Sequence, residues 1–200
     1  MQALALGLPT LSGRWIVDSL NAGADRPVSW DKYLLAAGPS AYLGGAVRSR
    51  IISVNSAADA KLDNTVAGRS KLLDDDNVLI VASTKNKATW ERRRMYSFLT
   101  LAMGAGNVKR VNDLAEVKSV LAGEDAANWK WVYVDGSVTE ASATLFGNGA
   151  AKGGKKRKRG DDAASKLDSK AMSATSSNGN VKVVNDEFVV QSLILGALVD

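Results

Sequence analysis

The four residues Val78-Leu79-Ile80-Val81 are apolar without a break. A strand with one wet face alternates apolar and polar residues, so a strand apolar at every position must be covered on both faces. That requirement selects a layered α/β arrangement, because crossovers between parallel strands place helices on both sides of the sheet. The chain that follows fits this pattern. Residues 89–103 have helical spacing, with Trp90, Met95, Phe98, Leu99, Ala102 and Met103 near one face and Glu91, Arg92 and Arg94 opposite. Gly104 and Gly106 end that helix, and residues 107–111 read as a second strand. A short helix over 113–122, an aromatic and β-branched strand over 129–134 and a weaker helix over 137–146 come next. Residues 181–184 are a fourth strand. Asn185 caps a last helix reaching Gly196, with Phe188, Val189, Leu193 and Ile194 inward. The expected fold class is therefore α/β: a four-stranded parallel sheet flanked by helices.

The opening of the chain is expected to be incomplete. Residues 1–6 look like the last turns of an apolar helix stopped at Gly7, and residues 8–11 like a short strand with Pro9 at its edge. Ser12 can cap a helix from Gly13 to about Ala22, ended by Gly23, on which Trp15, Ile16, Ser19 and Leu20 recur at helical spacing. One four-residue strand cannot satisfy its own backbone groups. Either it docks on the rest of the chain or its sheet lies upstream of Met1. Leu4, Leu6, Leu8 and Leu11 should then bury against the later unit or stay partly exposed.

Composition narrows the chemistry. There is no cysteine and no histidine. Disulfides, thiol nucleophiles and thiolate metal sites are excluded, as is every His-paired nucleophile. An enzyme working through Lys, Asp or Glu remains an alternative, but no convergent acid, base or nucleophile can be named. No apolar run approaches the ~20 residues a membrane-spanning helix needs, so no membrane partner is expected. The formal charge of +5 is concentrated. Residues 148–180 hold eight Lys or Arg against three Asp, and the remainder is balanced. A neutral body with one basic insert, lacking aromatics between its charges, argues against specific nucleic-acid readout. The insert is expected to be a disordered loop. Its centre, Lys155-Lys156-Arg157-Lys158-Arg159, reads as a nuclear import signal for an import receptor.

Two segments echo each other. Leu8-Pro9-Thr10-Leu11-Ser12 leads to Trp15-Ile16-Val17-Asp18-Ser19-Leu20, as Val181-Lys182-Val183-Val184-Asn185 leads to Phe188-Val189-Val190-Gln191-Ser192-Leu193. In each, a strand passes through a capping turn to an aromatic, two β-branched residues and a Ser-Leu pair. A four-stranded parallel sheet whose last helix carries an inward aromatic three residues after its cap resembles the BRCT domain. Trp15 stands at that family's signature tryptophan, and Phe188 replaces it in the second copy. With Gly104, Gly106 and the linker Tyr33-Leu34-Leu35-Ala36-Ala37-Gly38-Pro39-Ser40, the chain is similar to the tandem BRCT pair of DNA-damage checkpoint mediators. The basic insert before the final strand suggests a fungal member.

The resemblance implies the C-terminal part of a first repeat at 1–26, a linker at 27–72 and a second repeat at 73–200. It implies a nuclear, non-enzymatic adaptor without cofactor, binding a phosphorylated protein such as a histone tail, with a homodimer as a further option. Leu4, Met95, Leu99, Val189 and Leu193 would join the repeats. The phosphate is normally held by a Ser or Thr after the first strand of repeat one and a Lys in its second helix, positions expected upstream of Met1. Trp90, Arg93 and Arg94 would form the neighbouring peptide surface. A third reading makes residues 73–200 structural support for a binding domain.

Several bland readings stand beside these. Trp15 and Phe188 are expected in the core rather than against a ligand. Trp129 and Trp131 should share one strand face, with Trp131 packed. Asp74-Asp75-Asp76 lacks the spaced oxygens of a calcium loop and reads as a solvated turn. Gly149 to Lys156 fails a phosphate loop at its last position, and Gly104-Ala105-Gly106 follows a helix where a dinucleotide fingerprint must open one.

Overall fold

The computed structural model describes residues 1–23, 28–48, 61–147, 173–175 and 180–199. Its centre is a five-stranded, mostly parallel sheet in the order β4-β3-β5-β7-β6. The strands are β3 (Asn77–Val81), β4 (Asn107–Val111), β5 (Trp129–Tyr133), β6 (Ser173–Thr175) and β7 (Lys182–Val184). The four expected strands pair with one another in parallel, and β3 lies inside the sheet between β4 and β5, covered on both faces as its apolar run requires. Val78 and Ile80 enter one core and Leu79 the other, which is the period-two alternation of a strand buried twice.

The fifth strand corrects the sequence reading. Residues 173–175 fall in the insert expected to lack order, yet they pair antiparallel with β7, Ala174 against Val183. A Ser-Ala-Thr tripeptide carries no apolar alternation to announce a strand. Main-chain pairing to β7 and contact of Ala174 with the core hold it instead.

Helices α4 (Lys87–Ala102) and α7 (Asp186–Leu195) cover one face of the sheet, and α5 (Leu114–Leu121) and α6 (Val138–Phe146) cover the other. Side-chain oxygens of Asn86, Asp113, Ser137 and Asn185 accept from backbone N–H groups in the first turns of these four helices. A short helix α1 (Gln2–Ala5) lies against both α4 and α7, burying Ala5 and packing Leu4 and Leu6 on the same core. Gly104 and Gly106 are demanded by close approach. A Cβ on Gly106 would stand 2.4 Å from the Asp75 carbonyl oxygen, and one on Gly104 2.6 Å from the Lys71 side chain.

The two tryptophans of β5 also depart from expectation. The register shifts between Asn77↔Trp129 and Val78↔Trp131, so Lys130 is an extra residue. Trp129 therefore joins the α5/α6 core with Val132, while Trp131 joins the α4/α7 core with Tyr133. Both are buried. Asp76 secures the irregularity, accepting from the Trp131 indole at 2.9 Å and pairing with Lys130 at 2.6 Å. That carboxylate raises the pKa of the Lys130 ammonium by stabilising its charged form.

Beyond α1 the opening segment folds as an appendage. Residues 8–11 are not a strand: Leu11 alone bridges Leu34, the Ser12 N–H donates to the Tyr33 carbonyl, and the Leu35 N–H donates to that of Thr10. The linker supplies the missing partner. Helix α2 (Arg14–Ala22) buries none of its residues. Trp15 is half-buried rather than in the core, its indole N–H donating to the Val28 carbonyl at 2.8 Å, and the Tyr33 hydroxyl donates to Asp18 at 2.8 Å. Asp18 accordingly raises the Tyr33 pKa. Two further linker strands, β1 (Gly38–Pro39) and β2 (Val47–Arg48), pair antiparallel, and α3 (Leu62–Ala67) precedes the sheet. No helix among the described residues is long and apolar enough to cross a membrane.

Candidate functional site

Trp90, Arg93 and Arg94 sit on the first half of α4, but the helix divides them. Successive residues are turned by 100°, so neighbours along the chain point in different directions. Arg93 points inward and is 0% exposed, which corrects its placement on a peptide-binding surface. Its Nη1 donates to Asp186 Oδ1 at 2.9 Å and lies 3.9 Å from Asp135 Oδ1. Its guanidinium lies 5.6 Å from the Tyr96 ring centroid. Arg92, on the rim, pairs with Asp135.

These groups meet where parallel strands end: Asp135 follows β5, and Asp186 opens α7 just after β7. Arginine does not give up its proton in a protein, so a buried guanidinium needs a carboxylate beside it. Burial pushes the Asp186 carboxyl up, and Arg93 opposes that shift. Burial also pushes Tyr96 up to about 12 and raises the fully buried Tyr133. Among the described residues, Arg93 Nε and Nη2 and the Tyr133 hydroxyl have no hydrogen-bond partner. Both phenols stay protonated at neutral pH, and neither can act as a base there. The cluster clamps the middle of α4 to the start of α7.

Trp90 and Arg94 belong to a separate outer patch. Arg110, from edge strand β4, stacks its guanidinium 4.5 Å from the Trp90 ring centroid. Arg110 is held there by Nε donating to Ser97 Oγ at 2.8 Å and Nη2 to the Arg94 carbonyl at 3.3 Å. Arg94 is exposed, with no ion pair among the described residues. Sequence reasoning missed Arg110. Nothing local announces it, because only the placement of β4 beside β3 under α4 brings residues 90 and 110 together.

Of the residues expected to join the opening segment to the sheet unit, Leu99, Val189 and Leu193 are buried in one core and Leu4 packs on it. Met95 is 46% exposed, which corrects its placement among the joining residues. Met95 shares a side of α4 with Leu99 and Ala102, four and seven residues on, but that side is buried only toward the C-terminal end of the helix, where Leu99 and Ala102 lie. The cluster Lys155, Lys156, Arg157, Lys158 and Arg159 lies outside the described residues. Among the described residues no group of three acidic side chains could hold a metal ion. A comparison with protein-family models finds no match to this chain, and a comparison with curated proteins finds none either.

Proposed function

We propose that this chain is a protein-interaction module of the tandem BRCT kind, working as a non-enzymatic nuclear adaptor that contacts a phosphorylated protein such as a histone tail. One observation carries the reading. Helix α1 packs against both α4 and α7 on one face of the sheet, bringing together Leu4, Leu99, Val189 and Leu193, four of the five residues through which the resemblance expects the repeats to join. The Trp90–Arg94–Arg110 patch supports it as a contact surface. It sets an aromatic face and two cations on one edge, and guanidinium groups suit carboxylate and phosphate partners. Import would use the basic cluster at 155–159.

The resemblance puts its phosphate-holding Ser or Thr and Lys at no position within residues 1–200, so the patch would read residues flanking the phosphate. Fluorescence anisotropy with a labelled histone-tail peptide, phosphorylated and not, tests this. The two forms should bind within about threefold of each other, and Trp90→Ala combined with Arg94→Glu should weaken both about tenfold. No binding, or binding indifferent to those substitutions, removes the reading.

A further inference from the structure

A cavity of about 290 Å³ lies at the other end of the three-helix face, where the C-terminal ends of α3, α4 and α7 approach one another. Its apolar walls come from Leu4, Ala5, Ala37, Leu72, Met103 and Leu193. Helix C-termini leave carbonyl groups without intrahelical partners and carry partial negative charge. Two arginines on the cavity wall answer them. Arg69 donates from Nε to the Ala102 carbonyl at 2.6 Å, closing α4, and from Nη1 to that of Val66 at 2.5 Å, closing α3. Arg48 donates from Nη1 to the Ile194 carbonyl at 3.4 Å, near the end of α7.

That duty uses only part of each side chain. A guanidinium carries five N–H donors, and among the described residues Arg48 engages one and Arg69 two. Both are half-buried, and among the described residues no acidic side chain lines the cavity. Two full positive charges against partial negative ones leave the wall positive beside an aliphatic surface. Small-molecule and side-chain pockets are built this way: mostly apolar, with a few placed polar groups.

We propose that this cavity is a binding site for an anionic group carried on a short aliphatic body, as in a partner segment that sets a carboxylate beside a leucine-sized side chain. The carboxylate would take the free N–H groups of Arg48 and Arg69, and the aliphatic part would lie on the apolar walls. The site has a built-in consequence. Leu4, Ala5, Ala37 and Arg48 come from the opening segment and linker, whereas Met103 and Leu193 come from α4 and the last turns of α7. A ligand bound between them stabilises the docked arrangement by mass action. This inference does not rest on the phosphoprotein reading, which concerns the opposite end of α4.

The test is a ¹H–¹⁵N titration of the full chain with N-acetyl-leucyl-glutamate, its neutral counterpart N-acetyl-leucyl-glutamine, and inorganic phosphate. The glutamate compound should shift the amides of Ala5, Ala37, Gly68 and Gly196 saturably, with the glutamine compound and phosphate each at least about fivefold weaker. Arg48→Gln should weaken the glutamate compound about tenfold, since charge-assisted donors are lost. Ala37→Phe, which fills the cavity from the linker side and leaves both arginines, should abolish the shifts. Equal binding of the glutamine compound would overturn the charge argument, and equal binding of phosphate would overturn the apolar one. No saturation by about 20 mM, or shifts elsewhere on the chain, would overturn the site itself.

Discussion

Helices α2 and α7 begin alike and end up differently. Each follows a capping turn, each places an aromatic near its start, and each continues with two β-branched residues and a Ser-Leu pair. Yet α7 buries Phe188, Val189, Gln191, Ser192, Leu193 and Ile194, while α2 buries nothing and leaves Ile16, Val17 and Leu20 more than half exposed. Phe188 is 1% exposed and lies 5.3 Å from the Trp131 ring and 6.4 Å from that of Tyr133, centre to centre. Trp15 rests on residue 28 of the linker. The same local code gives a core helix where a parallel sheet lies beneath it and a surface helix where none does. Local sequence makes the helix; burial is decided by what it meets.

The comparison can be broken most decisively at the two aromatics. Phe188→Ala removes a ring from the centre of a packed core and should cost about 3–5 kcal/mol in urea unfolding followed by far-UV circular dichroism. Trp15→Ala loses partial burial and one hydrogen bond, about 1–2 kcal/mol. Because α2 is tied to the linker, Trp15→Ala should leave hydrogen-exchange protection of Val78, Leu79 and Ile80 unchanged, whereas Phe188→Ala should reduce it. Equal losses for the two substitutions would mean that α2 is part of the same cooperative unit.

Charge sharpens the same contrast. The exposed Arg14–Asp18 pair on α2, 3.6 Å apart, should contribute under about 0.5 kcal/mol. Arg93→Ala, which strips the buried guanidinium from Asp186, should cost about 3 kcal/mol, at the low end for a broken buried pair because Asp186 keeps 28% of its side-chain surface exposed. The pH dependence has a definite sign. Asp186 has a native pKa raised above 3.8, so between 3.8 and that value the folded chain holds a proton the unfolded chain has released. Stability from this group is full below pH 3.8 and falls as pH rises through the native pKa. The advantage of the native chain over Asp186→Asn should therefore shrink as pH rises through that window. In Arg93→Met the decline should extend to higher pH, since the opposing charge is gone. A flat difference between native chain and Asp186→Asn would show that burial does not govern this carboxyl.

What could be read without coordinates follows the same division. The four parallel strands and the helices between them were legible because β3, α5, α6 and α7 carry their own periodicity and caps. Three features were not. Strand β6 has a neutral tripeptide sequence and exists through its ladder to β7. The bulge at Lys130, which sends Trp129 and Trp131 to opposite cores, is a property of pairing with β3. Along α4 hydrophobicity points to Met95 and Phe98 as inward, whereas packing buries Arg93 and Thr100. A buried arginine has no apolar signature; the carboxylate that makes it tolerable lies 93 residues away in the chain. For the same reason Trp90 and Arg94 were legible as surface candidates and Arg110 was not.

The smallest expected difference lies in the caps, and it tests whether the contrast reaches the first turn. Asn185 Oδ1 accepts from the Phe188 N–H at 3.2 Å in a buried setting. Helix α2 instead has Gly13 at its N-cap with no side-chain cap bond, a correction to the expected Ser12 cap; Ser12 Oγ, one residue before it, accepts from the Arg14 N–H at 3.3 Å in an exposed setting. When a cap is removed, water can replace it only where water reaches. Asn185→Ala should therefore cost about 1–2 kcal/mol, the upper part of the range for lost caps, and Ser12→Ala no more than about 0.5. Urea melts of the two variants beside Asn185→Asp, which keeps the acceptor, separate the cap from the side chain's volume. If Asn185→Asp restores stability and Ser12→Ala remains silent, the sheet beneath α7 governs its first turn as well as its core face. If both alanine variants cost the same, the cap energies are local, and the divergence of α2 and α7 begins only where their side chains meet, or fail to meet, a sheet.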